Sequence, residues 1–254
     1  MEEIIDMKGK FKKLALVAAI LIAMAPTIVP VAVAVEANSS GEQIKDNQIG
    51  IDGIVKPKIV SYKDVKKGDI ITTGERNNSK ELCKVSFGMS IDFGPNEKGS
   101  KSVTTKVDDN CNVIVKEIKE NTQSIESSGN AVITSLKSIS QDYWMYGYGG
   151  EWDKLTEDLS QMTFYYDGST SSYSSGSGSC ISSTGWSNTY CRAWSAPTSG
   201  DVTTYNVRGD FEWINNLYQH TLWTTISGTK SGSTSCNYVY SGSIVSGTKS
   251  ECTL

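Results

Sequence analysis

One histidine, His220, has to carry any scheme in which an imidazole takes a proton from a serine, threonine or cysteine. It sits in an alternating run and shares parity with Tyr218, Leu222 and Ile226, so the spacing predicts a histidine on the dry face of a strand rather than a general base. No G-x-S-x-G elbow occurs anywhere in the chain. Asp210 and Glu212, two residues apart, would project from one strand face about 6.6 to 7 Å apart at a rise near 3.3 Å per residue. That separation falls within the roughly 5 to 9.5 Å spanned by the two carboxylates of a glycosidase. Any solvated strand with alternating polar residues makes such a pair, so it supports only the alternative function, a secreted carbohydrate-active hydrolase using paired carboxylates.

Two further motifs weaken on inspection. Arg208-Gly209-Asp210 is read by receptors at projecting loop tips, and here it falls inside the best alternating run. Asp108-Asp109-Asn110 lacks the frame and the number of oxygen ligands that a calcium loop needs, and three polar residues between two strands make a turn without a metal.

Cysteine carries more weight. The six cysteines are an even number, there is no C-x-x-C, and only one histidine is available, so zinc ligation has little to work with. They read as three disulfides of local pairing, Cys83 with Cys111, Cys180 with Cys191, and Cys236 with Cys252. Each is worth about 3 kcal/mol on a chain-entropy estimate. No free thiolate is left over for catalysis, and no cofactor is expected.

The aromatic residues carry most of the functional signal. All 6 tryptophans and 11 of the 12 tyrosines lie from Tyr143 onward, whereas 15 of the Lys and Arg residues fall in 35–142 and only 5 beyond. Flat rings with a polar handle suit stacking on sugars or filling a protein interface. The rings set among glycines and outside the alternating runs are the candidates for exposure and ligand binding: Trp144, Tyr146, Tyr148, Trp152, Trp186 and Trp194. A net charge of −4 and few basic residues in the aromatic half argue against nucleic acid, and no glycine-rich phosphate loop precedes a helix.

The elements that must position these residues are strands. After Thr203 the odd positions to Trp213 are apolar or aromatic with Gly209 among them, and Arg208, Asp210 and Glu212 lie between. Asn215-Asn216 then closes a hairpin with the run containing His220. Tyr205, Val207, Phe211 and Trp213 are expected to be buried and the three charged residues exposed. Gly209 on the dry face predicts a bulge or the close approach of another strand. Residues 83–93 alternate as clearly, 103–107 and 111–115 pair around a turn, and 161–167 form another strand. Residues 59–71 read as two strands around a Lys-Gly turn. Residues 169–179, rich in Ser and Gly, read as an exposed loop, and the Cys180/Cys191 segment as a stapled hairpin or loop.

At the amino end, the basic stretch 7–13 leads into apolar residues 14–25, and Ala32-Val33-Ala34 offers small residues for a signal peptidase. Two fates fit: cleavage after Ala34, or retention as an anchor through residues 14–35, which would be the only contact with a membrane. Either one exports the rest of the chain. Asn38 and Asn77 stand in glycosylation frames.

The expectation is therefore an all-β, mainly antiparallel, disulfide-stapled β-sandwich-like protein behind a signal or hydrophobic segment (1–34). A small β domain or layer (35–125), a Ser-rich connector (126–142) and an aromatic-rich β-sandwich domain (143–254) follow. The expected role is that of an extracellular or cell-surface binding or structural component, non-enzymatic, with carbohydrate or envelope components as partners.

Overall fold

The computed structural model describes residues 33–36 (backbone), 57–76, 82–125, 135–183, 185–214 and 216–254. Strands dominate, and no α-helix occurs among the described residues. The strands are β1 (Val33–Glu36), β2 (Ile59–Ser61), β3 (Ile70–Thr73), β4 (Glu75–Arg76), β5 (Cys83–Phe93), β6 (Glu97–Val107), β7 (Asn112–Ser124), β8 (Ser135–Tyr146), β9 (Lys154–Tyr166), β10 (Ser171–Ser182), β11 (Trp186–Ser195), β12 (Ser199–Gly200), β13 (Val202–Trp213), β14 (Tyr218–Thr229), β15 (Thr234–Ile244) and β16 (Gly247–Thr253). They form two sheets. The first runs β1-β10-β9-β8-β16-β6-β7-β3, with β12 also on β10; the second runs β11-β13-β14-β15-β5-β2, with β4 also on β5. Every pairing is antiparallel except β2 with β5.

Alternation decides which side chains leave water. On the second sheet, Phe87, Met89 and Ile91 of β5, Tyr205, Val207 and Phe211 of β13, and Tyr238 and Tyr240 of β15 are buried. On the first, Ile139, Tyr143 and Met145 of β8 and Met162 and Phe164 of β9 are buried. Side chains of one sheet touch the other: the rings of Tyr143 and Tyr238 meet edge to face at 5.2 Å, and Gln141 Nε2 donates to the Asn237 carbonyl at 2.8 Å.

All three expected disulfides are present. Local in sequence, each crosses from one sheet to the other. Cys83 of β5 meets Cys111 just before β7, Cys180 of β10 meets Cys191 of β11, and Cys236 of β15 meets Cys252 of β16. The second of these links β10, which lies between β1 and β9, to β11 at the edge of the other sheet, and so is not the staple of a hairpin.

Three expectations are corrected. Residues 169–179 are not an exposed loop, because β10 occupies most of them. Its small residues let the other sheet approach: a Cβ at Gly176 would lie 2.7 Å from the Tyr205 ring, and one at Gly178 would lie 2.3 Å from Val207 Cγ2. The Ser-rich connector does not extend to residue 142, since β8 begins at Ser135 and alternates inward through Ile139, Gln141 and Tyr143; residues 126–134 lie outside the described residues. Residues 59–71 hold β2 and the start of β3, but these do not pair with each other: β2 joins β5 and β3 joins β7. The compositional change near residue 140 divides no sheet, because β5 pairs with β15 and β6 with β16, and residues 32–254 group as one compact unit. The leader and both glycosylation frames lie outside the described residues, apart from β1, which pairs with β10.

Candidate functional site

His220 is where its parity puts it. β14 turns it inward, only 3 % exposed, with the rings of Trp186, Phe211 and Tyr240 at 4.7, 5.2 and 5.4 Å. Its Nε2 is hydrogen-bonded to Thr156 Oγ1 of β9 at 2.7 Å, and its Nδ1 has no protein partner. Burial pushes the imidazole pKa down to about 3, so it is neutral at physiological pH. Two residues along β9, Asp158 is fully buried and accepts from the Gly209 N–H at 3.1 Å. Burial holds its carboxyl well above the ordinary range. Gly209 is required by this approach, because a Cβ there would lie 2.4 Å from Asp158 Oδ1. A hydroxyl, an imidazole and a carboxylate therefore stand close together inside the fold. They do not form a nucleophilic relay: the imidazole Nδ1 is not bonded to the carboxyl group of Asp158, and all three residues are buried.

On the opposite, outward face of β13 the Asp210/Glu212 pair is not brought to bear on one point. Asp210 accepts from Arg208 Nε at 3.1 Å, from Arg208 Nη2 at 2.9 Å and from Thr221 Oγ1 at 2.7 Å. It lines a groove of about 890 Å³ that Glu212 does not reach. Arg208, Asp210 and Glu212 are half-buried rather than exposed, the first two through this pairing, and Trp213, at the strand end, is half-buried rather than buried.

The six candidate aromatics separate into three places. Trp144, Tyr146, Tyr148 and Trp152 belong to one hairpin end, Trp186 to the interior beside His220, and Trp194 to the outer face of the second sheet, half-buried beside Trp223 at 6.1 Å. Trp144, Tyr146 and Trp186 are buried, against expectation. The loop 147–153 folds back and covers Trp144, whereas Tyr146 lies across Gly247 of β16 and reaches β6. Trp144 Nε1 donates to the Glu151 carbonyl at 2.9 Å, and Lys154 and Lys249 set their ammonium groups over its ring at 4.1 and 5.0 Å. Tyr146 donates its hydroxyl hydrogen to the Thr105 carbonyl at 2.6 Å. Trp186 stacks on Trp213 at 6.0 Å and closes over the histidine.

The same loop raises Tyr148 and Trp152, 84 and 87 % exposed. It is bonded within itself, Gly147 N to Asp153 O at 2.9 Å and Asp153 N to Gly150 O at 2.9 Å. An ion pair of Glu151 with Lys116 at 3.0 Å ties it to β7. Lys249 lies 5.6 Å from the Trp152 ring centroid. Beside it Lys154 contacts both Asp142 Oδ2, at 3.0 Å, and Glu157 Oε1. Burial and the neighbouring Glu157 raise the Asp142 carboxyl to about 7.

Asp142, Lys154, Glu157 and Lys249 went unnoticed in the sequence. Register brings them together: Trp144 lies opposite Glu157 on one side and Lys249, more than a hundred residues away, on the other. The weak signal available was alternation, since Asp142 and Trp144 share a parity. Among the described residues no cluster of His, Cys, Asp and Glu could hold a metal ion, and no helix is long and apolar enough to cross a membrane. No family model matches the chain, and neither a curated protein nor a solved structure does.

Proposed function

We propose that this chain is an exported β-sandwich, its two sheets stapled to each other, that binds carbohydrate or another cell-surface component through Tyr148 and Trp152 and has no catalytic role. The observation that carries the reading is the pair of large rings held almost fully in solvent on a loop fixed at both ends. A core cannot account for rings left in water, and a stiff loop loses little conformational entropy when it meets a ligand. Asp142, Glu157, Lys154 and Lys249 beside the rings supply charged donors and acceptors for hydroxyl groups. Export is supported by the basic-then-apolar leader and by three disulfides, which persist in oxidising compartments. The sandwich is supported by the side-chain contacts and disulfides that run from sheet to sheet.

The test is co-sedimentation with insoluble polysaccharides (chitin, cellulose, peptidoglycan) and with intact cell envelopes. We expect retention on at least one of these, weakened about tenfold or more, or about 1.4 kcal/mol, by Trp152→Ala. Binding to none of them would overturn the reading.

One observation favours the hydrolase as a second reading: Asp142, poised near neutral pH beside Glu157 and a tryptophan, is better suited to proton transfer than the Asp210/Glu212 pair. On that reading Asp142→Asn abolishes release of reducing sugar while leaving retention on the polysaccharide intact. On ours no release occurs in either protein.

A further inference from the structure

The groove on the outer face of the second sheet lies apart from the aromatic loop, and no part of the reading above uses it. Its floor is made by β13, β14 and β15, and residues 72–75, the end of β3, Gly74 and the start of β4, form one wall. Its volume, about 890 Å³, falls in the roughly 300 to 1,000 Å³ typical of ligand sites. We propose that this groove is a binding site for a neutral, polyhydroxylated ligand of the oligosaccharide class.

Charge balance is the first argument. Arg208 and Lys84 are matched by Asp210 and Glu75 around the groove, so an anion meets two carboxylates and a cation meets two basic groups. A neutral ligand escapes both costs. The second argument is the kind of polar group present: Ser86, Ser241 and Gln219 offer short hydroxyls and an amide able to donate and accept, as sugar hydroxyls require, and Thr221 Oγ1, whose proton goes to Asp210, can still accept. Ser86 Oγ is shielded from solvent and has no protein partner, so it is an unspent hydrogen-bonding group in the wall.

Pre-organisation is the third. The guanidinium of Arg208 is fixed by its two bonds to Asp210, and Thr221 locks the same carboxylate from β14. Only Nε and Nη2 of Arg208 are used in that fork, which leaves further N–H donors at a set position. The guanidinium also lies 5.6 Å from the Tyr190 ring, and Tyr190, 42 % exposed, presents a flat apolar surface beside the groove on which a sugar ring can stack.

The site is tested by titrating the full chain with chitohexaose, cellohexaose and maltohexaose, and with trigalacturonic acid as the charged control, while recording backbone amide resonances. We expect at least one neutral hexasaccharide to shift Thr221 and Ser241, and to do so equally in the Tyr148→Ala/Trp152→Ala variant, which separates this site from the aromatic loop. Ser241→Trp, which fills the groove, should weaken that binding about tenfold or more. Gln219→Ala, at an exposed position, should weaken it severalfold without altering the fold. The proposal is overturned if no neutral hexasaccharide shifts these residues, if only the charged sugar does, or if the shifts stay within residues 147–153.

Discussion

The interior around His220 and the loop 147–153 are joined by the first residues of β9, yet they treat aromatic rings in opposite ways. Inside, Trp186, Phe211 and Tyr240 enclose an imidazole whose neutrality the burial enforces. Outside, Tyr148 and Trp152 stand in water above a third ring, Trp144, that the loop covers. The groups an active site could use are thus buried, and the accessible surface carries rings suited to contact. On the proposed function, residues of the first kind serve stability and residues of the second binding, and substitutions should separate the two.

The largest effect is expected at Gly209. Gly209→Val forces a side chain into the space of Asp158 and the Phe211 ring, and should cost about 3 kcal/mol, the upper range for overpacking a core. Chemical denaturation measures it; a loss under about 0.5 kcal/mol would mean that the close approach of β9 to β13 is not as described. Next comes His220→Gln, which disturbs a buried hydrogen bond and three ring contacts and should cost about 1 to 3 kcal/mol while leaving any binding by the folded protein unchanged. A variant that kept its melting temperature and lost an activity would break the comparison.

A pH series sharpens it. Because the folded-state pKa of His220 is lowered from 6.5 to about 3, the folded protein binds fewer protons than the unfolded chain between those values. Its contribution is therefore fully present above about pH 6.5 and falls as the pH drops toward 3, by up to about 1.4 kcal/mol per pH unit. Asp158 acts the other way: its raised pKa favours the folded state at low pH and loses that effect as the pH rises above the ordinary carboxyl value. Asp158 is common to wild type and His220→Gln, so it cancels in their difference. The stability gap between the two should narrow steadily from pH 7 to pH 4; a constant gap would place the imidazole in contact with water.

How much of this was legible in the sequence follows from the range of the interactions. The parity of residues 203–213 and 218–226 depends on one strand and its turn, and local spacing reports it; the disulfides, although they join the two sheets, were legible because each pairs cysteines that are neighbours in sequence order, and Gly209 because a glycine on a dry face marks a close approach. The strand β10 was read as a loop because serine and glycine are poor strand formers by themselves; its glycines make sense only against Tyr205 and Val207 of the other sheet. Trp144 lies buried for a related reason, and Tyr146 because β16 and, next to it, β6 follow β8 in the sheet. Glycines at 147, 149 and 150 do mark a loop, but spacing cannot tell that this loop folds back on β8 instead of extending away. The cluster of Asp142, Lys154, Glu157 and Lys249 depends on β16 lying beside β8, a pairing across about a hundred residues that no local pattern encodes.

The most direct test of the account combines stability and binding in one variant. Made in a chain whose groove on the second sheet is filled by Ser241→Trp, Tyr148→Ala/Trp152→Ala removes two rings that touch little of the fold, so relative to Ser241→Trp alone the unfolding free energy should change by less than about 0.5 kcal/mol, with retention on polysaccharide or cell envelope largely lost. A variant that keeps full retention, or one that loses several kcal/mol of stability, would contradict the assignment of these two rings to the ligand.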